Sequence, residues 1–142
     1  MNITHIDHIV LTVKDIQMTV QFYQSVLGMQ LEEFAEGRVA LKFGQQKINL
    51  HRHGHEFEPK ANSPVPGSED LCFITDTNLQ TAMQFVIDKG IKILEGPVTR
   101  TGAHGAILSF YFRDPDNNLI EVASYSTNTN NVPEEAEATN NS

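Results

Sequence analysis

Histidines and acidic residues are spaced along this chain in a way that could hold a divalent metal ion. His8 opens a short run rich in β-branched residues, and Asp70 opens a second such run 62 residues later. Glu121 stands between apolar neighbours in the last run, where a buried carboxylate is costly without a cation beside it. Imidazole and carboxylate donors suit Mn²⁺, Fe²⁺, Co²⁺, Ni²⁺ or Zn²⁺. The pattern therefore indicates a candidate metal site.

Alternation of side chains along strands predicts which of these residues share a face. His8 falls on the less apolar face of its strand, which we expect to be concave. Counted from the strand ends, Asn49 is the counterpart of Glu121, and His51 lies two residues further on the same face. The candidate ligands are therefore His8, Asp70, Glu121 and either His51 or Asn49. A salt bridge from Glu121 to an arginine is the alternative to a metal.

Other chemistry-bearing residues carry weaker signals. The stretch EGPVTRTGAHG, residues 95–105, is consistent with a mobile loop over a pocket, from which Arg100 or His104 could reach an anionic ligand. Cys72 has no partner in sequence that would make it a nucleophile, and we interpret it as a core residue. The segment RDPDNN, residues 113–118, is rich in residues that favour a turn.

The elements that must position these residues follow from periodicity and punctuation. A helix is predicted after Asp15, a good N-cap, and it ends at Gly28. A second is predicted over 76–89 and ends at Gly90. The predicted strands are 6–13, 29–34, 38–43, 47–51, 70–75, 91–95, 107–113 and 119–124.

These elements occur twice in the same order. Gly90 follows Gly28 by the same 62 residues that separate Asp70 from His8. We therefore predict an α+β fold of two βαβββ modules, about 5–57 and 67–125, forming a curled, pseudo-two-fold, barrel-like sheet around a cavity. Residues 1–125 would make one domain. The polar segment 126–142 is predicted to be a disordered tail.

The composition of the chain argues against nucleic acid and membranes as binding partners. The formal net charge is −8 without a basic cluster, which argues against nucleic acid. A single cysteine allows no intrachain disulfide, and no run approaches the ~18 apolar residues of a membrane span. The first residues lack the features of a signal peptide. We expect a cytoplasmic protein with a small-molecule substrate and no membrane partner.

The motifs IDHIVLTVKDI, FYQSVLGMQL and FRDPDNNLIEVASY resemble the vicinal oxygen chelate superfamily. This superfamily includes glyoxalases, extradiol dioxygenases, fosfomycin-resistance thiol transferases and bleomycin-resistance proteins. The resemblance covers about residues 4–125. The stretches KINLHRHGHEFEPKA and GPVTRTGAHG are most similar to small bacterial glyoxalase-domain proteins described as virulence-associated and to the animal glyoxalase-domain-containing protein 5.

The resemblance implies a role for each matching residue. His8 matches the family's first metal histidine, and Glu121 matches its final glutamate. Asp70 stands where the family usually has histidine, and Asn49 stands where glyoxalases often have glutamate. Either His51 replaces Asn49 as a ligand or the metal site is depleted. The candidate substrate-binding residues are Asn49, Arg100 and His104.

The resemblance also implies a function and its alternatives. The first is a metal-dependent lyase or isomerase of the lactoylglutathione lyase type, in which Glu121 moves a proton on a small oxygen-rich substrate. The second is an extradiol dioxygenase, using His8, His51 and Glu121 around Fe²⁺, or a thiol transferase. The third is a non-catalytic binding protein for an antibiotic-like molecule, which the residues Asp70 and Asn49 favour. Because family members often dimerise, we expect a homodimer.

Overall fold

Two βαβββ modules build the part of the chain that the computed structural model describes, residues 1–125. The first comprises β1 (His8–Val13), α1 (Ile16–Leu27), β2 (Gln30–Phe34), β3 (Arg38–Phe43) and β4 (Gln46–Arg52). The second comprises β5 (Asp70–Ile74), α2 (Leu79–Asp88), β6 (Glu95–Gly102), β7 (Gly105–Arg113) and β8 (Leu119–Tyr125). The predicted α+β class with repeated modules is confirmed. The predicted tail, 126–142, lies outside the described residues.

Each module folds into its own four-stranded mixed sheet. The strand orders are β1-β4-β3-β2 and β5-β8-β7-β6. The first and last strands of each module run parallel, and the other neighbours run antiparallel. The first and last strands of a module therefore lie side by side, which brings residues far apart in sequence onto one sheet face.

Local sequence signals explain where the helices begin and end. Asp15 caps α1, since its carboxylate accepts a hydrogen bond from the Met18 amide at 3.0 Å. Gly28 ends α1 in the left-handed conformation with φ 66°. The second helix starts at Leu79, three residues later than predicted, because the Asn78 side chain caps it through the Thr81 amide.

The apolar face of each sheet packs under its own helix and forms the core. In the first module the buried apolar residues of the sheet and helix include Leu11, Val13, Val20, Tyr23, Val26, Leu41, Ile48 and Leu50. In the second module they include Leu79, Val86, Leu108, Phe110, Phe112, Ile120 and Val122. The opposite face of each sheet carries polar candidate residues, Asn49 in the first module and Glu121 in the second. None of the helices within residues 1–125 is long and apolar enough to cross a membrane.

The sequence prediction for residues 91–105 is wrong. It assigned a strand to 91–95 and a mobile loop to the residues that follow. The chain forms strand β6 from Glu95 to Gly102 and turns directly into β7 at Gly105. Residues Val98, Thr99 and Thr101 supply β-branched side chains for the strand. Pro97 is tolerated because β6 is an edge strand and its register shifts between Glu95 and Val98.

The chain divides into two compact units that do not coincide with the modules. The first unit contains residues 1–69 and 114–118, and the second contains 70–113 and the described residues from 119 onward. The predicted turn at 113–118 is present. Within it, Asp114 accepts hydrogen bonds from the Tyr23 hydroxyl at 2.6 Å and from the side-chain amide of Asn118 at 2.9 Å. These buried side chains tie the turn into the first unit.

Candidate functional site

Strand register confirms which residues of the two modules correspond. Val10 pairs with Asn49 between β1 and β4, and Cys72 pairs with Glu121 between β5 and β8. Val10 and Cys72 are each the third residue of their strand. Asn49 is therefore the structural counterpart of Glu121, as the sequence predicts.

The polar face of the first sheet carries His8, Asn49 and His51 on adjacent strands. His8 pairs in register with Lys47, so Asn49 lies two residues along β4 from that row and His51 lies four. At about 3.3 Å per residue, His51 is roughly 13 Å further along the sheet than His8. Of the two alternatives left open by the sequence, Asn49 is thus nearer to His8.

His8 is held by its neighbour in sequence. Its Nδ1 lies 2.8 Å from the Asp7 carboxylate, and the side chain is 44% exposed. This hydrogen bond holds the pKa of Asp7 below its usual range. When Nδ1 carries the proton, Nε2 has a free lone pair, which is the arrangement typical of histidines that bind metals.

Asn49 and His51 differ in what surrounds them. The Asn49 side-chain oxygen is buried and lacks a hydrogen-bond partner among the described residues. His51 is 8% exposed, and its ring packs edge-on against Phe57 with centroids 5.4 Å apart. Burial and the nearby Arg38 lower the pKa of His51, so its imidazole is neutral near pH 7.

A cavity of about 560 Å³ opens beside His51 within the first unit. Its walls come from β1, β4 and the segment that follows β4. The residues that line it are Ile9, Val10, Thr12, His51, Pro59, Lys60, Ala61, Ser63, Pro64, Val65, Ser68 and Glu69. Cavities of this size hold small organic molecules, and mostly apolar walls with a few polar groups are typical of such sites.

The polar face of the second sheet is organised around Glu121. The Ser109 hydroxyl donates to Glu121 Oε2 at 2.6 Å. The Cys72 thiol and the Tyr111 hydroxyl also form side-chain hydrogen bonds with Glu121. These hydroxyl and thiol groups orient the carboxylate. Asp70 lies two residues along β5 from Cys72, on the same face.

Cys72 is not the core residue that the sequence suggests. Its side chain is exposed and lies directly across from Glu121. The sulfur is nevertheless partly desolvated, and this desolvation and the neighbouring Glu121 raise the pKa of the thiol to about 12, so it stays protonated at neutral pH. Alternation permitted either face, and the pairing with β8 decides between them.

Arg100 and His104 lie in the β6–β7 hairpin rather than in a mobile loop. Arg100 donates to the Tyr111 hydroxyl at 3.0 Å and to Glu95 at 3.0 Å. It lines a cavity of about 330 Å³ that also contacts Glu121. His104 sits at the exposed turn, its ring 6.0 Å from that of Tyr125. Arg100 is therefore placed to meet a ligand near Glu121.

Sequence reasoning missed Ser109 and Tyr111, the two neighbours of Glu121 on β7. Their alternation with Ile107 on one strand was visible, but their alignment with Glu121 depends on how β7 pairs with β8. Within residues 1–125, no three histidine, cysteine, aspartate or glutamate side chains are grouped closely enough to enclose an ion.

Residues 5–122 match the family model described as the glyoxalase/bleomycin resistance protein/dioxygenase superfamily. The chain belongs to this superfamily. A virulence protein of Salmonella typhimurium is 56% identical over 125 residues, which is 88% of this chain and 87% of that protein. A glyoxalase domain-containing protein of Mycosarcoma maydis is 53% identical over 125 residues, or 88% of this chain and 70% of that one.

Solved structures of other proteins share the fold. An integron cassette protein from the mobile metagenome of V. cholerae has a TM-score of 0.88 and 64% identity, covering 89% of this chain and 98% of its own. A lactoylglutathione lyase from Agrobacterium tumefaciens has a TM-score of 0.67 at 22% identity, covering 87% of this chain and 95% of its own. A fosfomycin resistance protein from Mesorhizobium loti has a TM-score of 0.59 at 16% identity, covering 89% and 96%. The last two likenesses concern the fold alone.

Proposed function

We propose that this superfamily member is a divalent-metal-dependent lyase or isomerase of glyoxalase type, acting on a small oxygen-rich substrate. The observation that carries the proposal is the His8–Asp7 pair. A carboxylate 2.8 Å from Nδ1 fixes the ring and leaves Nε2 for an ion on an exposed sheet face.

The donor chemistry of the described residues fits a divalent cation. Glu121 accepts a hydrogen bond from the Ser109 hydroxyl and lies beside the Cys72 thiol and the Tyr111 hydroxyl. Asn49 presents a buried oxygen that has no partner within residues 1–125, and His51 is a neutral imidazole. With Asp70, these side chains belong to the imidazole, carboxylate and amide donor types that Mn²⁺, Fe²⁺, Co²⁺, Ni²⁺ or Zn²⁺ accept, but no three histidine, cysteine, aspartate or glutamate side chains within residues 1–125 are grouped closely enough to enclose an ion. When bound, the ion would polarise substrate oxygens as a Lewis acid.

The chain's own side chains would provide the remaining chemistry. Glu121 is the proposed base that moves a proton between substrate carbons. The cavity of about 330 Å³ beside it has a size suited to a small substrate. Arg100 and Tyr111, which are hydrogen-bonded to each other, lie in its wall and would bind substrate oxygens. The homodimer expected from the sequence stays a prediction.

Metal-linked stabilisation tests this proposal. Mn²⁺, Ni²⁺ and Zn²⁺ are titrated into the wild type, His8→Ala and Glu121→Gln while thermal unfolding is recorded. An ion that binds only the native state stabilises it by ~2.7 kcal/mol at one hundred times the dissociation constant. Either substitution should remove most of this gain. His53→Ala, which removes an exposed histidine outside the proposed set, should keep it.

The alternative result would favour a second function. If the wild type gains no stability from metal, or if both variants keep the gain, the metal-dependent proposal is wrong. A metal-independent binding protein then becomes the better assignment. The cavity of about 560 Å³ favours it, because apolar walls that also carry polar groups such as Thr12, His51 and Lys60 suit a small organic molecule.

A further inference from the structure

The cavity of about 560 Å³ in the first unit has polar groups at its most buried part. Among the residues that line it, Thr12 and His51 are the two that are buried. Val10 and Val65, in contrast, are exposed apolar residues of the same wall. A molecule that enters the cavity therefore meets apolar surface near solvent and polar groups further inside.

Thr12 and His51 are neighbours across two strands. They are paired in register between β1 and β4, which run parallel. Paired strands lie about 4.8 Å apart, so the two side chains can contact the same group of a ligand. A threonine hydroxyl donates and accepts hydrogen bonds, and an imidazole nitrogen can do either. The pair suits a ligand hydroxyl, which likewise donates and accepts.

The ring of His51 is held by the segment that follows β4. Phe57 packs edge-on against it, with ring centroids 5.4 Å apart. The guanidinium carbon of Arg38 lies 4.3 Å from the centroid of Phe57, which is a cation–π contact. Because these contacts order the imidazole before a ligand arrives, less conformational entropy is lost on binding. This end of the cavity is therefore preorganised for a polar group.

The rest of the wall favours an uncharged ring. Its apolar residues are Ile9, Val10, Pro59, Ala61, Pro64 and Val65. Lys60 and Glu69 bring one positive and one negative side chain to the wall, and Lys60 also forms an ion pair with Glu58. A charged ligand would thus meet one attractive and one repulsive group, and it would lose hydration on entering. An aromatic ring avoids this cost, and its π face attracts a lysine ammonium.

We propose that this cavity binds a phenol, an uncharged aromatic ring that carries a hydroxyl group. The ring lies against the apolar wall and Lys60, and the hydroxyl forms hydrogen bonds with Thr12 and His51. The inference goes beyond the metal-dependent function, because the cavity consists of residues of the first unit and needs no ion. It gives a ligand class to the cavity on which the metal-independent alternative depends.

Three small probes with the same ring and methyl group test the proposal. They are p-cresol, toluene and 4-methylbenzoate, which carry a hydroxyl, no polar group and a carboxylate. Each is titrated into the full-length protein in buffer with EDTA, and heteronuclear NMR records the affinity and the backbone signals that shift. The proteins are the wild type, Thr12→Val, Thr12→Ser and Thr19→Val. Thr19→Val is the matched control, since Thr19 is a buried threonine of α1 outside the cavity.

We expect the wild type to bind p-cresol about 3–10-fold more tightly than toluene, the effect of one hydrogen bond between uncharged groups. The shifted signals should belong to the strands and the segment that line the cavity. Thr12→Val should weaken p-cresol binding by about the same factor and leave toluene binding unchanged, which also shows that the variant is folded. Thr12→Ser, which keeps the hydroxyl, and Thr19→Val should bind both probes like the wild type.

Several results would overturn this inference. Equal wild-type affinities for p-cresol and toluene would show that the buried polar pair does not recognise a hydroxyl. Equal losses in Thr12→Val and Thr19→Val would remove the role of Thr12, and tighter binding of 4-methylbenzoate than of p-cresol would contradict an uncharged ligand. If no probe binds, the phenol site is wrong, while the metal-dependent function still depends on the metal titration alone.

Discussion

Replacing Tyr23 by phenylalanine isolates one buried hydrogen bond. Tyr23 is 0% exposed, and its hydroxyl donates to Asp114 Oδ2 at 2.6 Å. The ring of phenylalanine fills the same space, so the change removes the hydroxyl and leaves the packing in place. Asp114, itself 4% exposed, loses one of its donors.

The expected loss follows from the charge of the acceptor. A hydrogen bond to a charged group contributes about 1.5–3 kcal/mol, and an acceptor left short of donors in the interior adds to the loss. Asp114 keeps the Asn118 side chain and the amides of residues 116 and 118. We therefore expect Tyr23→Phe to lower the free energy of unfolding by about 2 kcal/mol.

Urea unfolding measures this loss, and Tyr125→Phe is the matched control. With a urea dependence near 2 kcal/mol per molar, the Tyr23→Phe midpoint should fall by about 1 M. The Tyr125 hydroxyl accepts a hydrogen bond from the exposed His104 amide, so its removal should cost under about 1 kcal/mol. In an Asp114→Asn background the Tyr23→Phe loss should shrink.

Two results would refute this reasoning. One is equal loss in Tyr23→Phe and Tyr125→Phe, which would show that burial and the acceptor's charge contribute nothing extra. The other is a Tyr23→Phe loss that does not change in the Asp114→Asn background. That outcome would place the effect in some interaction other than the hydrogen bond to Asp114.

Two further predictions use the same measurement. Gly96→Ala should lower the free energy of unfolding by about 1–3 kcal/mol more than Gly105→Ala. Both glycines have positive φ, 131° and 124°, but a Cβ at Gly96 would lie 2.5 Å from Phe110 Cβ, whereas a Cβ at Gly105 would have nothing within 4 Å. Equal losses in the two variants would contradict this prediction. Burial raises the pKa of Asp116, so this carboxyl binds a proton more readily in the folded protein than in the unfolded chain. The free energy of unfolding of the wild type, relative to that of Asp116→Asn, should therefore rise as pH falls from 7 towards 4. A difference that is flat or falls over this range would show that burial does not act on Asp116 as described.

The elements with local signals could be predicted from the sequence. Asp15 and Gly28 mark the ends of α1 by their own capping chemistry, so no tertiary information was needed there. The repeat spacing identified Asn49 correctly as the counterpart of Glu121, because strand counting carries over from one module to the other. Strand β6 was missed because Gly96, Pro97 and Gly102 suggest a loop, and only pairing with β7 makes that stretch extended.

The surroundings of the candidate site could not be predicted in the same way. Ser109 and Tyr111 reach Glu121 across the β7–β8 pairing, and a strand's alternation does not specify its partner's register. The face of Cys72 was ambiguous for the same reason. The His8–Asp7 hydrogen bond, in contrast, joins sequence neighbours and could have been considered from the sequence alone.

The turn at 114–118 limits how freely the repeated halves could be exchanged as building blocks. It belongs to the first unit, yet the chain reaches it only after β7. A fragment ending at residue 69 would lose the acceptors for the Tyr23 hydroxyl and for the main-chain amides of Lys14 and Glu69. Recombination at the linker would therefore produce an incomplete first half, and a hybrid made from two relatives must take residues 1–69 and 114–118 from the same parent.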